Sequence, residues 1–181
     1  MQNAASGLAY LHEEGFLHRD VKPENILVFE DVEKLADLES VHSLDVFKQG
    51  CYGTLYYLPK EVMKCEVVSN DPKQLKSIDV YAYGMSIFML LKQEQYTSPF
   101  LSDINDNTKL GKYTNELSFV MAAAEHPELT KVHLDPLLDA KKVARLDEAG
   151  ELRALMTACL RGNPNARPSF DDIVHRLEAS D

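Results

Sequence analysis

The chain has 181 residues, of which 45% are hydrophobic and 27% are charged, so it can bury the core of one globular domain. Its formal net charge of −10 argues against nucleic acid and anionic membranes as partners, and no apolar run approaches the ~20 residues of a membrane-spanning helix. Three widely spaced cysteines without a C-x-x-C pair, and an N-terminus without a basic-then-apolar signal pattern, predict a cytoplasmic protein with free thiols rather than disulfide or metal sites.

The first predicted element is a helix over residues 2–14, in which five apolar residues recur at the spacing of one helix face. They are Ala4, Ala5, Leu8, Ala9 and Leu11. Gly15 is a natural stop for this helix. The polar segment His18-Arg19-Asp20-Val21-Lys22-Pro23-Glu24-Asn25 follows at once, so we expect it to lie on a loop after a buried helix.

Two short strands are predicted next, over residues 26–29 and 34–36, because both segments are apolar and an acidic, turn-like link separates them. Together they predict a small hairpin directly after the polar loop. Residues 37–61 are polar and irregular, and two glycines interrupt any regular structure there.

The strongest predicted helix covers residues 79–91, whose apolar content is so high that we expect near-complete burial. Residues 96–113 are rich in loop-forming residues, and a helix is predicted over residues 116–125. Residues 126–142 give a mixed pattern that favours no single element.

Two helices are predicted near the C-terminus. Apolar residues at helical spacing mark the first over residues 152–160. Ser169 is expected to cap the second, with Asp172 three residues on as a variant capping box, and apolar residues such as Phe170 and Ile173 form its inner face.

The polar loop carries three residues whose chemistry suits phosphoryl transfer. Asp20 offers a carboxylate that can orient a hydroxyl, Lys22 an ammonium that can neutralise a phosphate, and Asn25 an amide oxygen that can ligate a metal ion. The loop resembles the catalytic loop of eukaryotic-type protein kinases, H-R-D-x-x-x-x-N, in the Lys-Pro form typical of serine/threonine kinases. The resemblance implies ATP and Mg²⁺ as cofactors. It also implies that all three residues are catalytic and that Lys22 and Asn25 contact the nucleotide or its metal.

The segment Leu35-Ala36-Asp37-Leu38-Glu39 is similar to the metal-binding D-F-G segment of the same family. The resemblance implies that Asp37 is a ligand of Mg²⁺ and the nucleotide. Glu39 stands where the family has glycine, which permits backbone angles that a residue with a Cβ adopts poorly. A carboxylate there either adds like-charge repulsion beside the ATP phosphates or supplies an extra oxygen to the metal. We expect impaired or altered nucleotide binding from this substitution.

The segment Gly53-Thr54-Leu55-Tyr56-Tyr57-Leu58-Pro59-Lys60-Glu61 resembles the end of the family's activation segment, G-T-x-x-Y-x-A-P-E. The resemblance implies that Thr54 hydrogen-bonds near Asp20 and Lys22 and helps to define a Ser/Thr substrate site. Arg19 makes this the type of loop that often needs a phosphate on the activation segment as its partner. The hydroxyls available for such a phosphate are Ser40, Ser43, Tyr52 and Thr54.

Three further residues are expected to support the loop rather than to react. Glu61 would pair with Arg167, which lies in a segment that matches the end of the family domain, and loss of one partner would cost several kcal/mol. Asp79, in a segment similar to the start of the family's central helix, would brace the backbone of the catalytic loop.

Only 17 residues precede His18, and no G-x-G-x-x-G loop occurs in the sequence, so we expect the nucleotide-clamping N-terminal lobe to be absent. Residues 1–181 would then be the C-terminal lobe of a kinase domain. The implied fold is α+β and mainly α, a helical bundle around a buried central helix with a small β-hairpin at the catalytic loop.

Two functions stay open at this point. The first is a serine/threonine kinase domain, incomplete in this chain, that acts on a protein substrate. The second is a catalytically inactive, pseudokinase-like module that binds a protein partner. The sequence gives no preference for an oligomeric state.

Overall fold

Helices make up most of the described structure. The computed structural model describes residues 1–46, 52–63, 70–92, 143–144 and 150–179. Its helices are α1 (Gln2–Glu13), α2 (Lys60–Met63), α3 (Pro72–Lys92), α4 (Glu151–Cys159) and α5 (Phe170–Glu178). Its strands are β1 (Phe16–Leu17), β2 (Ile26–Phe29), β3 (Val32–Leu35) and β4 (His42–Ser43).

Helix α3 lies at the centre of the core because its side chains are buried on several faces. On one side, Gly84 lets α4 approach closely, since a Cβ at this position would lie 2.6 Å from the Cβ of Cys159. On another side, the ring of Tyr83 meets Phe170 of α5 edge to face, with 5.5 Å between the ring centroids. Helix α1 packs against α5 and β3, which brings the end of α1 close to the core.

Two antiparallel strand pairs hold the polar loop between them. Strands β2 and β3 form a hairpin in which Ile26 pairs with Leu35 and Phe29 with Val32. Its two turn residues have φ values of 48° and 62°, as in the mirror-image turns that suit the twist of a hairpin. Strand β1 pairs with β4, so the chain on either side of the loop is fixed by hydrogen bonds.

The structure confirms the predicted α+β, mainly α fold and most of its elements. The first and fourth helices and strand β2 agree with the predicted bounds to within one residue. The predicted cap of α5 is a complete capping box, because Ser169 Oγ accepts a hydrogen bond from the Asp172 amide and the Asp172 carboxylate accepts one from the Ser169 amide.

Three predictions of elements are wrong. The second strand of the hairpin, β3, covers Val32–Leu35 rather than residues 34–36, because the two-residue turn pairs Val32 directly with Phe29. The central helix begins at Pro72 rather than at residue 79, because proline is well suited to the first turn of a helix and the mixed polarity of residues 72–78 hides the helical period. Residues 37–61 are not wholly irregular, since they contain β4, α2 and three 3₁₀ turns (Leu38–Ser40, Leu44–Val46 and Leu55–Tyr57). Strand β4 is formed by its distant partner β1, which a local pattern does not reveal.

The predictions for residues 96–113, 116–125 and 126–142 lie outside the described residues, as do Cys51 and Cys65. Cys159 is a buried free thiol whose pKa is raised to about 12 by burial, so it is protonated at neutral pH. Among the helices in the described ranges, none combines the length and the apolar character needed to cross a membrane.

Candidate active site

The buried carboxylate of Asp79 on α3 anchors the backbone of the loop between β1 and β2. Asp79 Oδ1 accepts a hydrogen bond from the Arg19 amide at 2.8 Å, and Oδ2 accepts one from the His18 amide at 2.8 Å. His12 Nε2 donates to the same Oδ2 at 2.9 Å, because a carboxylate can only accept. Burial opposes ionisation of Asp79, but the hydrogen bond and charge of His12 and the two amides lower its pKa.

This anchor holds Arg19 in an unusual backbone conformation. Arg19 has φ of 69°, in the left-handed region that residues with a Cβ rarely adopt. Such conformations cost of order 1–3 kcal/mol and persist only where the surroundings fix them. The bond from the Arg19 amide to Asp79 supplies that constraint, and the turn aims the next residue, Asp20, toward the activation segment.

Asp20 is the centre of the site because its carboxylate receives hydrogen bonds from three other residues. Oδ1 accepts from the amide of Thr54 at 2.8 Å and from its hydroxyl at 2.7 Å. Oδ2 accepts from Lys22 Nζ at 2.7 Å and from Asn25 Nδ2 at 3.2 Å. Burial raises the pKa of Asp20, but the hydrogen bonds of Lys22 and Thr54 and the Lys22 charge outweigh it, so the pKa lies below its ordinary value.

Lys22 and Thr54 also bind each other. Lys22 Nζ donates to Thr54 Oγ1 at 2.9 Å, which closes a ring of contacts among Lys22, Asp20 and Thr54. The ammonium group is therefore fixed beside a carboxylate and a hydroxyl, where it could neutralise one further anionic group that enters the site.

Asn25 and Asp37 are tied together through the backbone. The Ala36 amide donates to the Asn25 carbonyl at 2.9 Å, and His18 Nε2 donates to the Ala36 carbonyl at 3.1 Å. The Asn25 side chain donates to the Asp20 carbonyl at 2.8 Å as well as to its carboxylate. Within the described residues, nothing donates to Asn25 Oδ1 or to the exposed Asp37 carboxylate, so both sets of oxygens are free to ligate a cation.

The expectation that the backbone angles at position 39 disfavour a residue with a Cβ is wrong. Glu39 lies within the 3₁₀ turn Leu38–Ser40. It is not among the described non-glycine residues with positive φ, which are Arg19, Glu30, Asp31 and Asp37. The chain accommodates a residue with a Cβ because the turn after Asp37 is helical. The effect of its negative charge on nucleotide binding stays a prediction.

The comparison with known families gives this geometry its context. A family model described as the protein kinase domain matches residues 1–177. The chain belongs to the eukaryotic-type protein kinase family. The predicted family membership is thereby confirmed.

Three relatives illustrate how much of the chain is shared with known kinases. Receptor-interacting serine/threonine-protein kinase 3 of Rattus norvegicus is 30% identical over 95% of this chain and 33% of its own length. Cyclin-dependent kinase-like 2 of Rattus norvegicus is 31% identical over 94% of this chain and 34% of its own. LysM domain receptor-like kinase 3 of Medicago truncatula is 31% identical over 97% of this chain and 28% of its own. The chain thus spans about a third of the length of these relatives.

Away from the loop, this kinase chain contains the buried ion pair that its sequence predicts. Arg167 Nη1 donates to Glu61 Oε1 at 2.6 Å, and Nη2 donates to Oε2 at 3.3 Å. Arg167 also donates to the Ser77 carbonyl on α3 and to the Arg161 carbonyl. Its guanidinium lies 5.0 Å from the ring centroid of Tyr81. The pair therefore joins α2, α3 and the segment before α5.

The structure brings Asp20, Lys22, Asn25 and Thr54 into one hydrogen-bonded cluster, with Arg19 directly beside it. Asp37 is linked to this cluster only through the backbone of the preceding residue. Glu61, Arg167 and Asp79 lie outside the cluster and contact its supporting elements.

Three residues make contacts in the site that were not expected from the sequence. His12 holds Asp79 across 67 positions of sequence, and a lone histidine on a helix gives no signal of such a partner. Gly53 packs against the carbonyl of Arg19, and Tyr52, named only as a hydroxyl, places its ring on the guanidinium of Arg19. The G-T match in the activation segment was the available signal for Gly53.

Proposed function

We propose that residues 1–181 form the C-terminal lobe of a serine/threonine protein kinase, which transfers the γ-phosphate of ATP to Ser or Thr hydroxyls of a protein. The observation that carries this proposal is the Asp20 carboxylate, which is held ionised between Lys22 and Thr54. Phosphoryl transfer needs a positioned hydroxyl and nearby positive charge more than covalent chemistry, and this cluster supplies both.

In this proposal Asp20 accepts the hydrogen bond of the substrate hydroxyl and orients it for in-line attack. Its four hydrogen bonds already fill the ≈ four acceptor positions of a carboxylate, so an entering hydroxyl must replace a present donor. The longest of the four, at 3.2 Å from Asn25, is the one that exchanges most readily. Lys22 would neutralise the phosphate that is being transferred.

Asn25 and Asp37 fit the needs of Mg²⁺. Their free amide and carboxylate oxygens are the hard ligands that this cation prefers, and the backbone bond from Ala36 to Asn25 keeps the two segments together. When bound, Mg²⁺ would neutralise charge on the ATP phosphates. The Ser/Thr preference rests on the Lys22-Pro23 pair and on the Thr54 hydroxyl beside Asp20.

We propose that transfer also requires an N-terminal lobe to cover the nucleotide, and we expect little or no activity from residues 1–181 alone. The apolar hairpin supports this view, because Leu27, Val28 and Phe29 are exposed by 55%, 69% and 61%. Some predictions from composition, charge and family stay predictions. They are the cytoplasmic location, a protein as substrate or partner, and the lack of nucleic-acid and membrane partners.

A pseudokinase-like interaction module is the second candidate. The Glu39 carboxylate beside the proposed metal ligand Asp37 favours it, since like charge near the phosphates would weaken nucleotide binding. In that case the same lobe would bind a protein partner and leave Asp20 without a substrate.

A thermal melt with saturating Mg²⁺-ATP separates the two candidates. The chain is placed behind an N-terminal kinase lobe and compared with Asp37→Asn and with Asp45→Asn, an exposed aspartate that makes the same charge change. At a ligand concentration of 100 Kd, a nucleotide stabilises the folded state by about 2.7 kcal/mol, so the kinase proposal predicts a clear rise in Tm. The rise should vanish in Asp37→Asn and persist in Asp45→Asn. A Tm that does not change on addition of Mg²⁺-ATP in any of the three proteins would favour the interaction module.

A further inference from the structure

The side chain of Tyr52 lies directly on the guanidinium of Arg19. The Arg19 Cζ atom is 3.8 Å from the centroid of the Tyr52 ring, which is the geometry of a cation–π contact. The same ring stacks on His42 of β4, with 6.5 Å between centroids and 23° between planes. Arg19 is 6% exposed, whereas Tyr52 is 47% exposed and so covers the arginine from the solvent side.

The two residues after Tyr52 contact the same part of the catalytic loop. Gly53 has φ of 103°, and a Cβ on it would lie 2.3 Å from the Arg19 carbonyl oxygen, so the two backbones touch. Thr54 then donates from both its amide and its hydroxyl to Asp20. Three consecutive residues of the activation segment therefore bind two consecutive residues of the catalytic loop.

We propose that Tyr52 is a positioning residue, whose ring binds Arg19 and thereby holds Thr54 on Asp20 without a phosphate on the activation segment. A phosphate would hold such an arginine through charge-assisted hydrogen bonds. The ring face and the hydroxyl of Tyr52 supply a weaker attraction, but both are present in the unmodified chain. The inference rests on the proposed function for its role in transfer, whereas the contact itself involves only residues of this chain.

The contact has a local consequence that can be measured without catalysis. The Thr54 amide donates to Asp20 Oδ1 at 2.8 Å, so its hydrogen exchange reports whether the segment is seated on the loop. Tyr52→Phe keeps a ring over the guanidinium but removes the hydroxyl, which also hydrogen-bonds with the Arg19 side chain. Tyr52→Leu keeps apolar bulk without the ring, and Tyr52→Gln offers a second ring-free variant should the first fail to fold.

The experiment measures exchange of the Thr54 amide in the phosphatase-treated full chain, with complete removal of phosphate checked by mass. Tyr10→Leu is the matched control, because Tyr10 is 63% exposed on α1, and the amides of α3 report that each variant is folded. We expect protection in the wild type and in Tyr10→Leu, and about 3- to 30-fold faster exchange in the ring-free variants. Tyr52→Phe should show a smaller increase than these variants, because it loses the hydroxyl contact but keeps the ring.

Two results would overturn the proposal. One is an unprotected Thr54 amide in the phosphate-free wild-type chain while α3 stays protected. The other is a folded ring-free variant that exchanges within twofold of the wild type. Failure of the proposed function would look different, since a chain without nucleotide binding or phosphate transfer could still show the predicted exchange pattern.

Discussion

One carboxylate, that of Asp20, joins parts of the chain that lie up to 34 positions apart in sequence. It is ionised because Lys22 and the two donors of Thr54 compensate for its burial. The strength of this cluster comes from hydrogen bonds to a charged group, each worth about 1.5–3 kcal/mol. The geometry proposed for catalysis thus also contributes to stability, and single substitutions can test both.

Removal of the Thr54 hydroxyl should weaken the cluster. Thr54→Val keeps the shape of the side chain but loses a donor to Asp20 and an acceptor for Lys22. We expect the free energy of unfolding in urea to fall by about 1.5–3 kcal/mol. Thr157→Val is the control, because the exposed Thr157 hydroxyl bonds only within its own helix. Equal losses in the two variants would contradict the role of Thr54.

A Cβ at position 53 should separate the activation segment from the loop. Gly53→Ala introduces both an unfavourable φ and a contact of 2.3 Å with the Arg19 carbonyl. Gly150→Ala introduces the unfavourable φ alone, since nothing lies within 4 Å of a Cβ there. We expect Gly150→Ala to cost about 1–2 kcal/mol and Gly53→Ala clearly more, measured by thermal or urea unfolding. A smaller loss for Gly53→Ala would show that the two backbones are not in contact.

The sequence predicts the residues of the site better than their contacts. Asp20, Lys22, Asn25 and Thr54 follow from the motif spacing, and the structure brings them together. The bonds from His12 to Asp79 and from Tyr52 to Arg19 depend on how distant segments pack, and neither pair has a local signature. The backbone angles of Glu39 were likewise not predictable from its residue type, because they are set by the 3₁₀ turn that the chain forms there.

At the scale of elements, the Glu61–Arg167 pair links α2 to the segment before α5. The Arg167 side chain is fully buried and the Glu61 side chain is 14% exposed, so both charges are largely removed from water. A buried pair of this kind is costly to break because one charge stays behind without its partner.

Breaking this pair should destabilise the chain strongly. We expect Glu61→Gln to lower the free energy of unfolding by about 3–5 kcal/mol, because it leaves the buried Arg167 guanidinium uncompensated. The matched control is Glu178→Gln, which removes the exposed contact of 3.6 Å with His175 and should cost no more than ~0.5 kcal/mol. Similar effects of both substitutions in urea unfolding would show that the Glu61 pair contributes little.

The sequence predicts elements whose apolar residues recur at a regular spacing. It does not predict elements that form only because a distant strand supplies their hydrogen bonds. Helix α1 and hairpin strand β2 have local apolar patterns and were found within one residue of the predicted bounds. Strand β4 has only two residues, and it exists because β1 supplies its hydrogen bonds. The early start of α3 was missed because Pro72 and polar neighbours hide its first two turns.

At the scale of the whole molecule, buried carboxylates link stability to pH. The pKa values of Asp20 and Asp79 are lowered in the folded state below the ordinary value of an aspartate, because hydrogen bonds and nearby positive charge outweigh the effect of burial. A carboxyl with a lowered pKa binds fewer protons when folded than when unfolded. Its contribution is therefore fully present above the unfolded pKa and is lost as pH falls through the folded one.

We expect the free energy of unfolding to decrease as the pH falls below about 5, with Asp79 as a main contributor. Asp79→Asn should be less stable than the wild type at pH 7, because His12 and the loop amides lose a charged acceptor. Its stability should also depend less on pH between about 5 and 3. Asp31→Asn, at an exposed hairpin turn, is the control that should keep the wild-type slope. An unchanged slope in Asp79→Asn would contradict the linkage.

The most direct test of the central claim is transfer of phosphate from radiolabelled ATP to a mixed Ser/Thr protein substrate. The chain is placed behind an N-terminal kinase lobe and compared with Asp20→Asn and Asp45→Asn, each shown to be folded by its melt. Positioned acid–base groups contribute about 10²–10⁴ in rate, so we expect Asp20→Asn to lose at least ~100-fold while Asp45→Asn stays at the wild-type rate. If the rate of phosphate transfer by Asp20→Asn stays within about twofold of the wild-type rate, this would contradict the proposal that Asp20 orients the substrate hydroxyl.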